Sequence, residues 1–328
     1  ESAGLLFDAW LAYNFTPKIK LAFGQKVTPT DNRELWMGSN TLMLVERSRV
    51  TSAFASIREF GLFADGTFRL RGGRYIRSYL TLTNGDGLNA FNSDHGGLKV
   101  GGRLDFLPFG LFTYFGQFRQ ADVIRELAPK LVFGGHYSVN YGMSSRRGRG
   151  SGEIIYLNDE GLESLPNYTK YGLDFMFKYR GLTVLGEFTG SSATVPEDIT
   201  QRVRNDGSVS RTFEVDGEQD VENYVKGRMM LGRAYNIQAG YYFKNRISVD
   251  ARFAHIDADQ HSFLNNGTFY NRPNYYTLGL SKYFTKGYGF KVQASITYVD
   301  AAPGSNDIYQ NPLEGGEWIG RVITTFSF

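Results

Sequence analysis

Glu317-Trp318-Ile319-Gly320-Arg321-Val322-Ile323-Thr324-Thr325-Phe326-Ser327-Phe328 alternates with a period of two. Trp318, Gly320, Val322, Thr324, Phe326 and Phe328 fall on one face, and Glu317, Arg321, Thr325 and Ser327 on the other. Successive side chains of a β-strand point to opposite sides, so the stretch predicts a strand with one apolar and one polar face.

The same alternation recurs upstream. Ile247, Val249, Ala251 and Phe253 oppose Ser248, Asp250 and Arg252; Phe290, Val292, Ala294, Ile296 and Tyr298 oppose Lys291, Gln293, Ser295 and Thr297. Leu98, Val100, Gly102, Leu104 and Phe106 oppose Lys99, Arg103 and Asp105. Thirteen such strands can be placed, at 5–14, 19–26, 56–63, 68–84, 98–107, 130–141, 168–179, 182–194, 232–243, 247–257, 275–283, 290–300 and 317–328. Long polar connections rich in Gly, Asn and Asp (27–55, 85–97, 142–167, 195–231, 260–274 and 301–316) alternate with short turns such as Thr16-Pro17-Lys18, Ala64 to Thr67 and Arg180-Gly181. Long loops on one rim and short turns on the other predict a transmembrane antiparallel β-barrel, with short periplasmic turns and long extracellular loops. A strand of this pattern that stops on Phe328 resembles the closing strand of bacterial outer-membrane barrels, which implies that Phe326 and Phe328 serve as an assembly signal.

Composition agrees with that class. Aromatic residues make up 15% of the 328 positions (26 Phe, 21 Tyr, 3 Trp), beside 39 Gly and 9 Pro. Mean hydropathy is only −0.32, as expected where half of every strand faces away from lipid. No run of about 18 apolar residues occurs, which excludes a helical membrane protein. The absence of Cys excludes disulfides and thiolate metal sites, and a net charge of +3 gives no footprint for nucleic acid.

The expected architecture is one all-β barrel over residues 1–328 with about 14 to 16 strands. Thirteen is an odd number, and single-chain bacterial barrels are even. Either strands precede Glu1 or one has been missed, near Phe109 to Glu126. No charged and apolar leader opens the chain, so a signal peptide is absent or removed.

Taking the polar faces as the lumen, Lys20, Lys26, Arg69, Arg71, Arg77, Lys99, Arg103, Lys178, Arg252, Lys291 and Arg321 point inward against Asp8, Asp105, Asp174, Glu187, Asp250 and Glu317. Such an excess of cations behind a low-dielectric wall enriches anions. Arg69, Arg71 and Arg77 read as sharing a face of one strand with no acid between them.

Ile19 to Leu35, Leu44 to Gly66 and Leu80 to Gly87 carry Gly24-Gln25-Lys26, Glu46-Arg47-Ser48, Arg58, Gly61 and Asn84-Gly85 in an order that resembles the phosphate-selective porin O and P family. The resemblance implies a homotrimeric, 16-stranded outer-membrane porin of a Gram-negative bacterium, with this chain starting inside the barrel. It also makes 27–55 a constriction loop, with Arg33, Arg47 and Arg49 as its cations. The expected function is passive diffusion of small solutes with anion, including phosphate, preference. The alternative is a blocked barrel that anchors a larger envelope complex.

Other chemistry is thin. The four His residues are dispersed; His255, Asp257, Asp259 and His261 could chelate a cation, and Ser144 and Ser145 with His136 could mimic a rim hydrolase. A solvated loop explains both sets. No cofactor, metal or enzymatic activity is expected. Arg146-Arg147-Gly148-Arg149 reads as a loop that touches lipopolysaccharide or a partner.

Overall fold

The computed structural model describes residues 7–90, 95–148, 154–265, 272–300, 311–312 and 315–327. Phe328 and Arg149 lie outside these residues. The chain is all-β and dominated by one antiparallel sheet of thirteen strands in chain order. These are β1 (Ala9–Thr16), β2 (Ile19–Val27), β3 (Arg58–Arg69), β4 (Tyr75–Thr83), β5 (Lys99–Leu107), β6 (Lys130–Asn140), β7 (Asn167–Tyr179), β8 (Leu182–Thr194), β9 (Gly232–Tyr242), β10 (Ile247–Ala258), β11 (Asn274–Tyr283), β12 (Phe290–Asp300) and β13 (Gly316–Phe326). Five further strands of two or three residues lie in the 142–166 and 195–231 connections. No helix among the described residues is long and apolar enough to cross a membrane.

Local chemistry sets the turns. Thr16 Oγ1 accepts from the backbone N–H of Lys18 (3.2 Å) and Ile19 (3.0 Å), closing the first hairpin around Pro17. Arg180 and Gly181 both have positive φ (50° and 98°), the requirement of a two-residue hairpin whose twist matches its strands.

The turn between β3 and β4 corrects two sequence expectations. Ala64 to Thr67 is not a turn: β3 runs through to Arg69, and the chain reverses at Arg71–Gly73, where Gly72 and Gly73 take φ of 74° and 75°. Asp65-Gly66 looked like a reversal, yet Gly66 pairs with Ser78 inside the ladder. Arg69, Arg71 and Arg77 therefore do not share one strand; they lie at the end of β3, in the turn and in β4. A third point concerns the strand count. Among the described residues the sheet holds the thirteen strands placed from the sequence, and 109–126 contributes none, forming a 3-10 turn at Thr113–Phe118 within irregular chain.

The two faces of the sheet divide as the alternation predicts. Leu80, Leu104, Leu173, Leu278 and Val322 point outward and are more than half exposed. Lys99, Asp105, Asp174, Glu187, Asp250, Lys291 and Gln293 point inward and are buried. The sequence reading made that inner face wet. From β5 to β12 it is instead packed against chain.

Two connections fill the concave side. Residues 28–57 enter between β2 and β3 and touch β5 and every strand from β7 to β13 through side-chain hydrogen bonds, so the sheet curls around them. This segment leaves β2 at the rim of the long loops. It reaches the opposite rim at Asn40, whose Nδ2 donates to Ser327 Oγ at 3.1 Å. Residues 108–129 come in from that second rim, and the backbone N–H groups of Gln120 and Ala121 donate to Thr41 O. Strands facing the segment spare it room: a Cβ on Gly279 would collide with Leu44, and one on Gly240 with Met43 and Asp250.

Candidate functional site: the charged segment inside the sheet

Pro29 and the residues after it cannot join a ladder, so the chain leaves β2 and exposes polar groups that must be satisfied inside. Asp31 Oδ2 accepts from the backbone N–H of Ser56 (3.0 Å) and Ile57 (3.2 Å) and from Ser56 Oγ (2.9 Å), pinning the two ends of the segment together. Its Oδ1 accepts from Lys170 Nζ at 2.5 Å. Burial pushes the Asp31 carboxyl up, but Lys170 and then Lys99 more than offset this, and its pKa is held down at about 2.

Arg33 is 1% exposed. Its Nε donates to Asp174 Oδ1 (2.6 Å) and its Nη2 to Asp105 Oδ1 (2.8 Å). Arg103 reaches the same two carboxylates, through Nε to Asp105 (2.9 Å) and through Nη2 to Asp174. The result is a neutral square of two guanidinium and two carboxylate groups. Burial opposes the Arg33 charge, yet Asp105 and Asp174 overcome it and hold the guanidinium in its charged form.

Glu34 is the second hub. Oε1 accepts from Arg252 Nη2 (2.9 Å) and Gln120 Nε2 (2.8 Å); Oε2 accepts from Ser48 N (2.7 Å) and Thr51 Oγ1 (2.5 Å). Burial pushes its pKa up, but Arg252 and these donors bring it below the usual carboxylate range. Ser48 in turn caps the short helix α1 (Arg49–Phe54), its Oγ accepting from Thr51 N at 3.3 Å.

The other predicted cations divide into two groups. Lys99 pairs with Glu59 at 2.6 Å, Lys291 donates to Leu42 O at 2.5 Å and Arg321 meets Glu46 at 2.9 Å. Arg47 donates to the carbonyls of Glu34 and Met37, and the Arg49 guanidinium lies 5.6 Å from the Tyr275 ring. Arg47 braces the segment internally, while the others, with Arg33, Arg103 and Arg252, hold it to the sheet. Arg69 and Arg71 are exposed, and half-buried Arg77 lies 5.3 Å from the Phe118 ring. Beside them on β2, half-buried Lys20 sits 4.6 Å from the Trp10 ring, and Lys26 lies 3.6 Å from Asp65.

No sequence pattern pointed to the bonding roles of Asp31, Glu34, Glu46 and Gln120. Their partners are up to 275 residues away, and no local pattern carries such contacts. The available signal was small: inward Gly240 and Gly279 in strands that otherwise alternate regularly.

One consequence is a pH limit. Because the folded pKa of Asp31 lies below the ordinary value, its pairing stabilises the fold fully above pH ~4 and is lost as pH falls towards 2. Asp31→Asn should remove that acid-side decline, a difference of about 2 kcal/mol at neutral pH. Superimposable acid unfolding curves for wild type and variant, followed by circular dichroism, would reject the assignment.

No family model matches the chain, and no curated protein matches it. Among solved structures it is similar to OmpT (in-vitro folded), an outer membrane protein of Vibrio cholerae, with 8% identity and a TM-score of 0.45 over 93% of this chain and 74% of that chain. A likeness so slight carries no weight for fold or activity.

Proposed function

We propose that the sheet closes into an outer-membrane β-barrel of the porin type, which passes small solutes with a preference for anions beside its fixed interior segment. The observation that carries the membrane reading is a pair of aromatic rows on the outer face. Phe253, Tyr276, Tyr298 and Trp318 are neighbours in one register row, with ring centroids 4.9, 6.3 and 5.0 Å apart. Phe290 stacks on Phe284 at 4.5 Å and on Phe326 at 4.4 Å near the opposite rim. Eight residues separate Tyr298 from Phe290 along β12, about 26 Å of strand, which at a tilt of about 35–45° rises about 20 Å, comparable with the apolar band of about 25 Å between aromatic girdles. Val292, Ala294 and Ile296 fill the interval. In lipid an open sheet edge leaves backbone groups unsatisfied, so this reading requires β1 and β13, the two edges of the sheet, each to find a pairing partner in the assembled protein.

Anion preference follows from the side where charge is left over. On the concave face of β2 to β4, Lys20, Lys26, Arg69 and Arg77 are half-buried or exposed, with Asp65 as the facing acid. The buried cations Arg33, Lys99, Arg103, Lys170 and Arg252 are paired with carboxylates and add little to a field felt by a solute. The resemblance of 19–87 to the phosphate-selective porin O and P family supports the same reading.

A second reading has its own observation. The interior segment spans the full depth of the sheet, and a barrel so filled is suited to anchoring other envelope components. Planar-bilayer recording separates the two. The porin reading expects steady ohmic steps and an anion-selective reversal potential that Lys20→Gln, Lys26→Gln and Arg77→Gln together move towards neutrality. Cation selectivity or an unmoved reversal potential rejects anion preference, and persistent silence selects the sealed barrel.

A further inference from the structure

The long-loop rim carries a cleft of about 490 Å³ in which four arginines converge: Arg146, Arg202, Arg204 and Arg228. They come from three pieces of chain. The short strand Gln201–Val203 pairs with Tyr156–Leu157, which sets Arg202 opposite Tyr156. Helix α2 (Val221–Lys226), capped by Asp220 whose carboxylate accepts from Asn223 N at 3.0 Å, brings Tyr224 and then Arg228 to the same wall.

None of the four meets a carboxylate among the described residues. Each spends one donor on a neutral acceptor: Arg146 on Arg228 O (3.2 Å), Arg202 on Thr212 O (2.8 Å), Arg204 on Ser210 Oγ (3.2 Å) and Arg228 on Tyr224 Oη (3.0 Å). A guanidinium carries five N–H donors, so most remain available. The acid of the lining, Asp206, turns to its own loop and accepts from Ser208 N (2.9 Å) and Oγ (2.7 Å). Burial, and after it the nearby Arg228, push the Arg146 guanidinium below its usual value. Tyr156, only 2% exposed, lines the cleft with a hydroxyl that has no hydrogen-bond partner among the described residues.

We propose that this cleft binds a phosphate ester, its phosphoryl group held by the arginines and its organic part against Tyr224. Planar guanidinium forks match phosphate oxygens, and several cations together favour a dianion over a monoanion. The volume exceeds what a phosphoryl group fills and falls within the range of sites for small organic ligands, which begin near 300 Å³. The ester can come from a phosphorylated saccharide headgroup in the surrounding outer leaflet or from a free phosphorylated solute. The first source rests on the outer-membrane reading; the cleft itself does not.

The test is calorimetric titration of the folded protein in micelles with glucose 6-phosphate, with glucose as control. Saturable binding of the phosphate ester, absence of binding by glucose, and at least a tenfold weakening in Arg202→Gln/Arg228→Gln are expected. Arg204→Gln, on an exposed side chain, gives a second variant that leaves the packed loops untouched, with a several-fold weakening expected. Repeating the titration in phosphatidylcholine vesicles with and without lipid A identifies the source: competition by lipid A assigns the headgroup, and unchanged binding assigns the solute. No binding of either ligand, or binding indifferent to all three substitutions, overturns the proposal. The titration reads the cleft without ion flow, so a silent or cation-selective channel would refute the porin reading and leave this result standing.

Discussion

Arg33→Met is expected to cost about 3 to 5 kcal/mol, the penalty for breaking a buried ion pair from one side. Asp105 and Asp174 would be left sharing Arg103 alone, with side-chain exposures of 0% and 1% and no water to replace the lost guanidinium. The interior segment would lose the Arg33 tie to β5 and β7 and keep its Asp31 contacts, with Arg103 on β5 and Lys170 on β7. Arg33→Lys keeps the charge but offers no fork, so an intermediate loss is expected. The measurement is the temperature at which the compact, heat-modifiable form disappears on a gel. A change equivalent to less than about 0.5 kcal/mol, the range of ordinary surface substitutions, would mean that the square of charges holds nothing in place.

Val322→Arg tests the outer face. Val322 is 73% exposed on β13, four residues from Trp318 and four from Phe326, hence midway between the aromatic rows. A guanidinium at mid-bilayer should cost about 2 to 4 kcal/mol. Val209→Arg is the matched control: it is 51% exposed in a short strand of the long-loop rim, and a cost near zero is expected there. Equal tolerance at both positions, measured by folding into lipid vesicles, would refute the membrane band.

The thirteen sheet strands, their order and the direction of each face were legible because they follow from a period of two and from turn chemistry, which are local properties. Ala64 to Thr67 misled for an equally local reason. Asp65-Gly66 reads as a reversal, yet a glycine within a ladder can simply continue it, and the reversal two glycines later was the one that positive φ required. The inward cations were legible as inward, but their state was not. Whether Lys291 faces water or Leu42 O depends on where a segment some 250 residues earlier in the chain comes to rest. Of the arginine cleft, Arg146 was noticed as part of a basic run, whereas Arg202, Arg204 and Arg228 were spread over a loop and met only through the pairing of Gln201–Val203 with Tyr156–Leu157.

The interior segment also constrains the order of events in assembly. Arg33 bonds to Asp174 across 141 residues, Glu34 to Arg252 across 218 and Glu46 to Arg321 across 275. A curved wall that had already shut could not admit thirty residues carrying so many charges. If the sheet closes as proposed, the segment must take up its place early, a mandrel around which later strands are wound one hairpin at a time. Contacts so distant in sequence make closure slow. In time-resolved refolding, protection of α1 from hydrogen exchange should accordingly precede the compact form on a gel.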